Sequence, residues 1–273
     1  RFDQLLVGGL LGHAPLGHYS VGSNLAQVPT RETTSPIRQT LFPALSQIAD
    51  DLPRLRHGYQ RAQALITLVA LPMGIGVALV ADTLVLTAMG SKWLPAVPII
   101  QALSVIFAIQ TIGSMGSSLG MARGHTKLLF VRDLQMFFIR LPIIVVGPVL
   151  FGLAGLIGGR VISGLIGTFV NMRVVRQLVQ LSVWEQLVVN IRSLVSAAAM
   201  AIAVLVFQRT SGLTDDTLVL AAIDIAANAA LGAAVYIAAN LLLWRLAGRP
   251  SGPETELMDM ASKIFRRLVP KHA

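Results

Sequence analysis

Few residues in this chain can do chemistry, and several of them stand where an apolar chain should carry nothing polar. Asp3, Arg31, Glu32, Arg38, Arg140, Arg160 and Asp224 all fall inside long apolar runs. A charge at bilayer depth costs at least ~2.5–3.5 kcal/mol on insertion scales, so such a group usually faces a cavity or a partner. The densest group is Pro29-Thr30-Arg31-Glu32-Thr33-Thr34-Ser35-Pro36-Ile37-Arg38-Gln39, with three charges and four hydroxyls in the middle of the apolar segment Leu16 to Ile48. Its two prolines free backbone groups and bend a helix, so a broken polar helix lining a water-filled cavity is expected. Arg31 and Arg38 are seven residues apart, two helical turns, and share a face. Two guanidiniums on one cavity face suit phosphate or another anion. The alternative is structural: Arg31 and Glu32 neutralise each other or their neighbours.

Arg140 and Arg160 are candidate cavity charges of the same kind. Either could instead pair with Asp3 or Asp224, or extend its head to the interface. Asp224 reads as a structural partner ahead of a proton relay. The glycines at 158, 159, 164 and 167 suit close helix packing.

Other chemistries lack their residues. With no Cys there is no disulfide, thiolate metal site or Cys nucleophile. His13, His18, His57, His125 and His272 are scattered, and no metal-binding spacing occurs. There is no phosphate-cradling Gly-Lys-Ser/Thr loop and no Asp-x-Asp pair. No enzyme activity, cofactor or metal is expected.

The elements that position these charges must be membrane spans. Of 273 residues, 54% are hydrophobic and 13% charged, about half the usual charged share. A soluble domain cannot hide that much apolar surface. At ~20 residues per span the apolar content suffices for about seven spans. The runs are too long and uniformly apolar for barrel strands, so each is helical. Eight segments result: Phe2–His13, which looks like the tail of a span, then Leu16–Ile48, Ala62–Ala81, Trp93–Ala122, Leu128–Leu150, Leu153–Val170, Ser193–Gln208 and Thr217–Trp244. The fold class is all-α, a polytopic transmembrane helix bundle. Residue 1 is Arg and apolar sequence starts at once, so the chain reads as a fragment.

Net charge is +9, which in a soluble chain would suggest nucleic acid. Here it reads as orientation, and no nucleic-acid partner is expected. When loops alternate sides, 15 of the 22 Lys and Arg fall on one side and 2 on the other. That bias makes the rich side, and the C-terminus, cytoplasmic. Residues 182–192 fit an interfacial cytoplasmic helix, and residues 245–273 form a basic tail. Within the tail, Glu256 to Leu268 fits an amphipathic helix on anionic lipid, or a solvated end.

Three pieces together carry a family resemblance. The first is Phe2-Asp3-Gln4-Leu5-Leu6-Val7-Gly8-Gly9, leading through Leu16-Gly17-His18-Tyr19 to Val28-Pro29. The second is Pro36-Ile37, then Leu41-Phe42-Pro43-Ala44-Leu45-Ser46. The third is Leu71-Pro72-Met73-Gly74, then Met89-Gly90-Ser91-Lys92-Trp93-Leu94-Pro95-Ala96. This resembles the C-terminal half of a polysaccharide exporter of the flippase type, in the superfamily that also holds multidrug/cation antiporters and the lipid II flippase. The resemblance implies two six-helix lobes around a cavity, with residues 1–181 in the second lobe and 193–244 as two added spans. It implies alternating access, and an undecaprenyl-pyrophosphate-linked oligosaccharide moved across a bacterial inner membrane, with the polysaccharide assembly machinery as a further partner. Arg31 and Arg38 would then hold the lipid pyrophosphate, Glu32 would gate them, and Asp3 or Glu32 would serve coupling. The competing readings are a cation-coupled multidrug antiporter, a membrane-embedded glycan polymerase and a non-transporting scaffold.

Overall fold

The structure, a computed structural model, describes residues 13–211 and 218–248. Asp3 and the Glu256–Leu268 segment lie outside the described residues. Among the described residues the chain is helical throughout: α1 (His13–Gln47), α2 (Leu52–Leu79), α3 (Ala81–Met89), a 3₁₀ turn (Ser91–Ala96), α4 (Val97–Gln110), α5 (Gly116–Ala122), α6 (Thr126–Val179), α7 (Val183–Ser211) and α8 (Leu218–Leu246). Five helical stretches are long and apolar enough to cross a membrane: Leu52–Leu79, Ser91–Gln110, Thr126–Val179, Val183–Thr210 and Val219–Leu246. The chain is a multi-pass membrane protein. Its outer faces carry exposed Phe138, Val149, Phe151, Ile202 and Leu242, apolar surface suited to lipid.

α6 is two helices in one. Gly152 sits at φ 57°, ψ −137°, a conformation that breaks the helix between 126–151 and 153–179. The limbs then run back along each other. A Cβ on Gly147 would lie 2.6 Å from the Gly155 carbonyl oxygen, and one on Gly159 would lie 2.9 Å from the Ile143 side chain. The runs expected over Leu128–Leu150 and Leu153–Val170 thus meet at this glycine; of the glycines expected to pack closely, Gly159 and Gly164 do, whereas a Cβ on Gly158 would meet nothing within 4 Å.

Two expectations need correcting. α1 is not broken: it runs continuously through Pro29, Pro36 and Pro43. Threonine hydroxyls bond carbonyls along it, Thr33 Oγ1 to Pro29 O at 2.8 Å and Thr34 Oγ1 to Thr30 O at 2.7 Å. The break falls instead in the uncharged segment 93–122, at a turn between α4 and α5. Residues 183–192 are also no separate element, because α7 continues through them without interruption. Its start is a capping box, in which Ser182 N donates to Glu185 Oε2 at 2.7 Å and Glu185 N to Ser182 Oγ at 3.1 Å.

Two contacts bring three basic loops to one end of the bundle. Arg56 bonds Glu185, and Arg123 donates to the Leu178 carbonyl. At the opposite end Gln208 donates to Leu79 O at 2.9 Å, and Gln101 to Asp82 at 2.9 Å. The alternation of loops inferred from charge therefore matches the geometry. α2 packs against α1, α4 and α7, and α6 against α4 and α5. A buried apolar cluster around Leu55, Ile66, Met115 and Val175 fills the basic end, and another around Ala26, Ile99, Leu103 and Ile144 lies beyond it.

Candidate functional site

Four helix faces turn polar groups toward one groove. α1 contributes Gln27, Thr30, Arg31 and Thr34, at helical spacings of three, one and three. The stretch from α4 into α5 contributes Gln110, Thr111, Ser114 and Ser117. The first limb of α6 contributes Arg132, Asp133, Met136 and Arg140, and the second limb Arg160, Ser163, Gly167 and Asn171. The sets on α1 and on each limb of α6 follow the i, i+3/i+4, i+7 pattern of a single helix face, while the set from Gln110 to Ser117 spans the turn between α4 and α5.

The groove has two chambers. The first holds about 440 Å³ and is walled largely by hydroxyls and amides together with Arg31, Arg132 and Asp133. The second holds about 420 Å³ and is walled by Arg140, Arg160, Ser163 and several apolar side chains. They share Gln110, Asp133, Met136 and Gly167, so they meet at a neck. Four guanidiniums face one carboxylate across the joined lining, a net charge that favours an anion.

The two arginines of the first chamber are held differently. Arg132 is fixed, with 12% of its side chain exposed. Its Nη1 donates to Ser117 Oγ at 2.8 Å and Asn171 Oδ1 at 3.2 Å, and its Nε and Nη2 donate to Asp133 Oδ1 at 3.0 and 2.7 Å. Arg31 is open, with 74% of its side chain exposed, and stands 3.9 Å from Glu32. A fixed and a movable guanidinium across a hydroxyl-rich cavity form a place where a phosphate can be met and held.

The remaining candidates sort by position. Arg140 and Arg160 both line the second chamber, and the Arg160 guanidinium lies 5.6 Å over the Phe107 ring. Glu32 borders the first chamber through Arg31 without lining it. The backbone of Arg38 is two turns along α1 from Arg31, and its side chain lies outside the described atoms. Asp224 lines neither chamber; it accepts from Thr83 Oγ1 at 3.3 Å and Asn228 Nδ2 at 2.9 Å. The groove adds Arg132 and Asp133, which stand near the start of the run from Leu128. Their helical spacing to Met136 and Arg140 is the signal that places them. No group of three His, Asp or Glu able to hold a metal occurs among the described residues.

A buried glutamine supports the groove wall. Gln63 of α2 is 1% exposed. Its Nε2 donates to Thr111 O and Thr67 Oγ1, both at 2.9 Å, and its Oε1 accepts from Gly113 N at 3.2 Å. It thereby fixes the turn that presents Thr111 and Ser114 to the first chamber.

Comparison with known proteins agrees with this picture. Residues 1–98 match the family described as "Polysaccharide biosynthesis protein". The chain is similar to the lipopolysaccharide biosynthesis protein WzxC of Escherichia coli, 27% identical over 74% of this chain and 43% of that protein. It is similar to the teichuronic acid biosynthesis protein TuaB of Bacillus subtilis, 26% identical over 49% of this chain and 28% of that protein. It is also similar to the succinoglycan biosynthesis transport protein ExoT of Rhizobium meliloti, 26% identical over 40% of this chain and 22% of that protein. The matched stretches span less than half of these relatives' own length. No solved structure matches the chain. Over part of its length this all-α membrane bundle is thus similar to proteins of polysaccharide biosynthesis and transport.

Proposed function

We propose that the chain forms part of a flippase that carries lipid-linked oligosaccharide precursors of a surface polysaccharide across a bacterial inner membrane. The observation that carries this reading is the two-chambered groove, where four arginines face one carboxylate beside a wall of hydroxyls and amides. A lipid-linked sugar phosphate presents that combination, an anion joined to many hydroxyls. Arg31 meets the phosphate and Glu32 competes for Arg31 when the site is empty, acting as a gate. Arg38, two turns along α1 from Arg31, is the second candidate for the phosphate, and Asp3 is the remaining coupling candidate. The relatives' names, which speak of polysaccharide biosynthesis and transport, support this direction. The basic end is cytoplasmic in this reading and carries the C-terminus, which rests on anionic lipid and is where the assembly machinery would engage. The protein moves its substrate and catalyses no covalent change.

Arg31→Gln in the native gene tests the proposal. Surface polysaccharide is expected to fall at least tenfold at an unchanged level of the protein in the membrane, and Arg31→Lys is expected to fall less, because it keeps the charge and loses the fork. Normal export in Arg31→Gln would overturn the role of Arg31.

A further inference from the structure

The two chambers lie at different depths. The limb of α6 that lines both rises about 1.5 Å per residue. Arg132 is twenty residues before the Gly152 turn and Arg140 is twelve before it. That places them about 30 Å and about 18 Å from the turn along the helix. Arg160, on the returning limb, is eight residues past the turn, about 12 Å from it. In a hydrocarbon core about 30 Å thick, the first chamber opens at the basic interface and the second sits near mid-depth.

The walls differ in kind as well as in depth. Around Arg140 and Arg160 stand Met136, Phe137, Leu141 and Ile144. Phe137 is also half exposed, so this wall continues onto the outer, lipid-facing surface. Arg160 is positioned against the Phe107 ring, where it keeps its charge and gains from the ring face. A free phosphate at this depth would exchange its water for the two guanidiniums with Ser163 and Gln110, and the apolar wall would give it nothing. A phosphate carried on a hydrocarbon chain gains apolar burial from the same wall.

We infer that the deeper chamber, between Arg140 and Arg160, is a second anion station, selective for a phosphate or diphosphate borne on a hydrocarbon chain. The inference rests on the flippase reading for its meaning, because it makes the groove a path with two stops, an entry stop at Arg31 and Arg132 and a mid-membrane stop at Arg140 and Arg160. The neck at Gln110, Asp133, Met136 and Gly167 separates them. The Asp133 carboxylate belongs to both linings and is bound by Arg132, so the neck holds a neutralised ion pair between the two stops.

The test measures binding to the full chain in lipid nanodiscs, with empty discs subtracted. The probes are farnesyl diphosphate and inorganic pyrophosphate. The wild type is expected to bind farnesyl diphosphate at least tenfold more tightly. R140Q/R160Q is expected to bring the two probes within twofold of each other, whereas R31Q weakens both and leaves their ratio unchanged. Phe137→Ser, on the apolar wall, is expected to reduce the ratio without weakening pyrophosphate binding, and it decides the matter where the double arginine variant fails to fold. A ratio that survives in R140Q/R160Q, or in Phe137→Ser if only that variant folds, would overturn the second station, as would a wild type with no preference. The readings fail separately. Normal export in Arg31→Gln with an arginine-dependent preference sinks the role of Arg31 in transport and keeps the station; impaired export with a preference untouched by R140Q/R160Q does the reverse.

Discussion

Replacing Gln63 by Leu should destabilise the bundle by about 2–4 kcal/mol, although no charge is lost and the side-chain volume hardly changes. The figure follows from the partners left behind. Gly113 N donates to Gln63 Oε1 in a buried turn and, among the described residues, bonds no backbone carbonyl. An orphaned buried donor costs ~1–3 kcal/mol. Thr111 O also loses the Nε2 of Gln63 but keeps Ser114 N at 3.1 Å, so only the net value of one bond is forfeited there. That adds ~0.5–1.5 kcal/mol. Transmembrane side-chain bonds average nearer ~0.6 kcal/mol, which pulls the total toward the lower half of the range. The assay is reversible unfolding by SDS in mixed micelles, followed by helical circular dichroism, with wild type and variant compared at equal transition slopes. A midpoint within about 0.5 kcal/mol of wild type would refute the reasoning, since it would mean that the turn finds its own partners without Gln63. The same variant should weaken pyrophosphate binding, because Thr111 and Ser114 line the first chamber.

Two further perturbations probe elements that hold the groove in shape. Gly152→Ala forces an L side chain into a glycine-only region at φ 57°, ψ −137°, so thermal unfolding should reveal a loss of about 1–3 kcal/mol; an unchanged midpoint would show that the hairpin tolerates another turn. Ser182→Ala removes the capping hydroxyl of α7 and should cost about 1 kcal/mol. Glu185→Gln, at a pair whose side chains are 39% and 42% exposed, should lower the unfolding midpoint slightly at low salt and leave it unchanged at about 1 M salt, where the pair is screened.

Much of the fold was legible because lipid demands long apolar helices and leaves little else to choose from. The apolar runs located the five helical stretches long and apolar enough to span, while α1, expected as a span over Leu16–Ile48, is helical but not among them. The α4–α5 break was invisible to charge counting, since the stretch from Trp93 to Ala122 carries none. What marks it is Gln110, Thr111, Ser114 and Ser117 on one face, together with Gly113, which takes φ 77° at the turn. Proline misled in the other direction. Pro29 and Pro36 promised a break, but α1 continues through both, and nearby threonine hydroxyls bond carbonyls along it. The site was half legible. Arg31, Arg140 and Arg160 stood out because they break an apolar run. Arg132 and Asp133 did not, because a basic residue near a helix end reads as topology until its helix face is traced into the cavity. Asp224 was conspicuous for the same reason as the arginines, yet its neighbours are Thr83 and Asn228, away from the groove.

The hairpin at Gly152 bears on how such a chain is made. Arg140 stands on the limb synthesised first and Arg160 on the limb synthesised second, and either alone would enter the bilayer with a bare charge, at about 2.5–3.5 kcal/mol on the insertion scale. With no intervening loop to hold them apart, the two limbs can leave the insertion machinery as a pair, their glycines in contact and both guanidiniums turned to the same polar lining. The turn that closes one wall of the groove is thus also what lets a nascent chain bring two arginines to the middle of a membrane without presenting either of them to lipid.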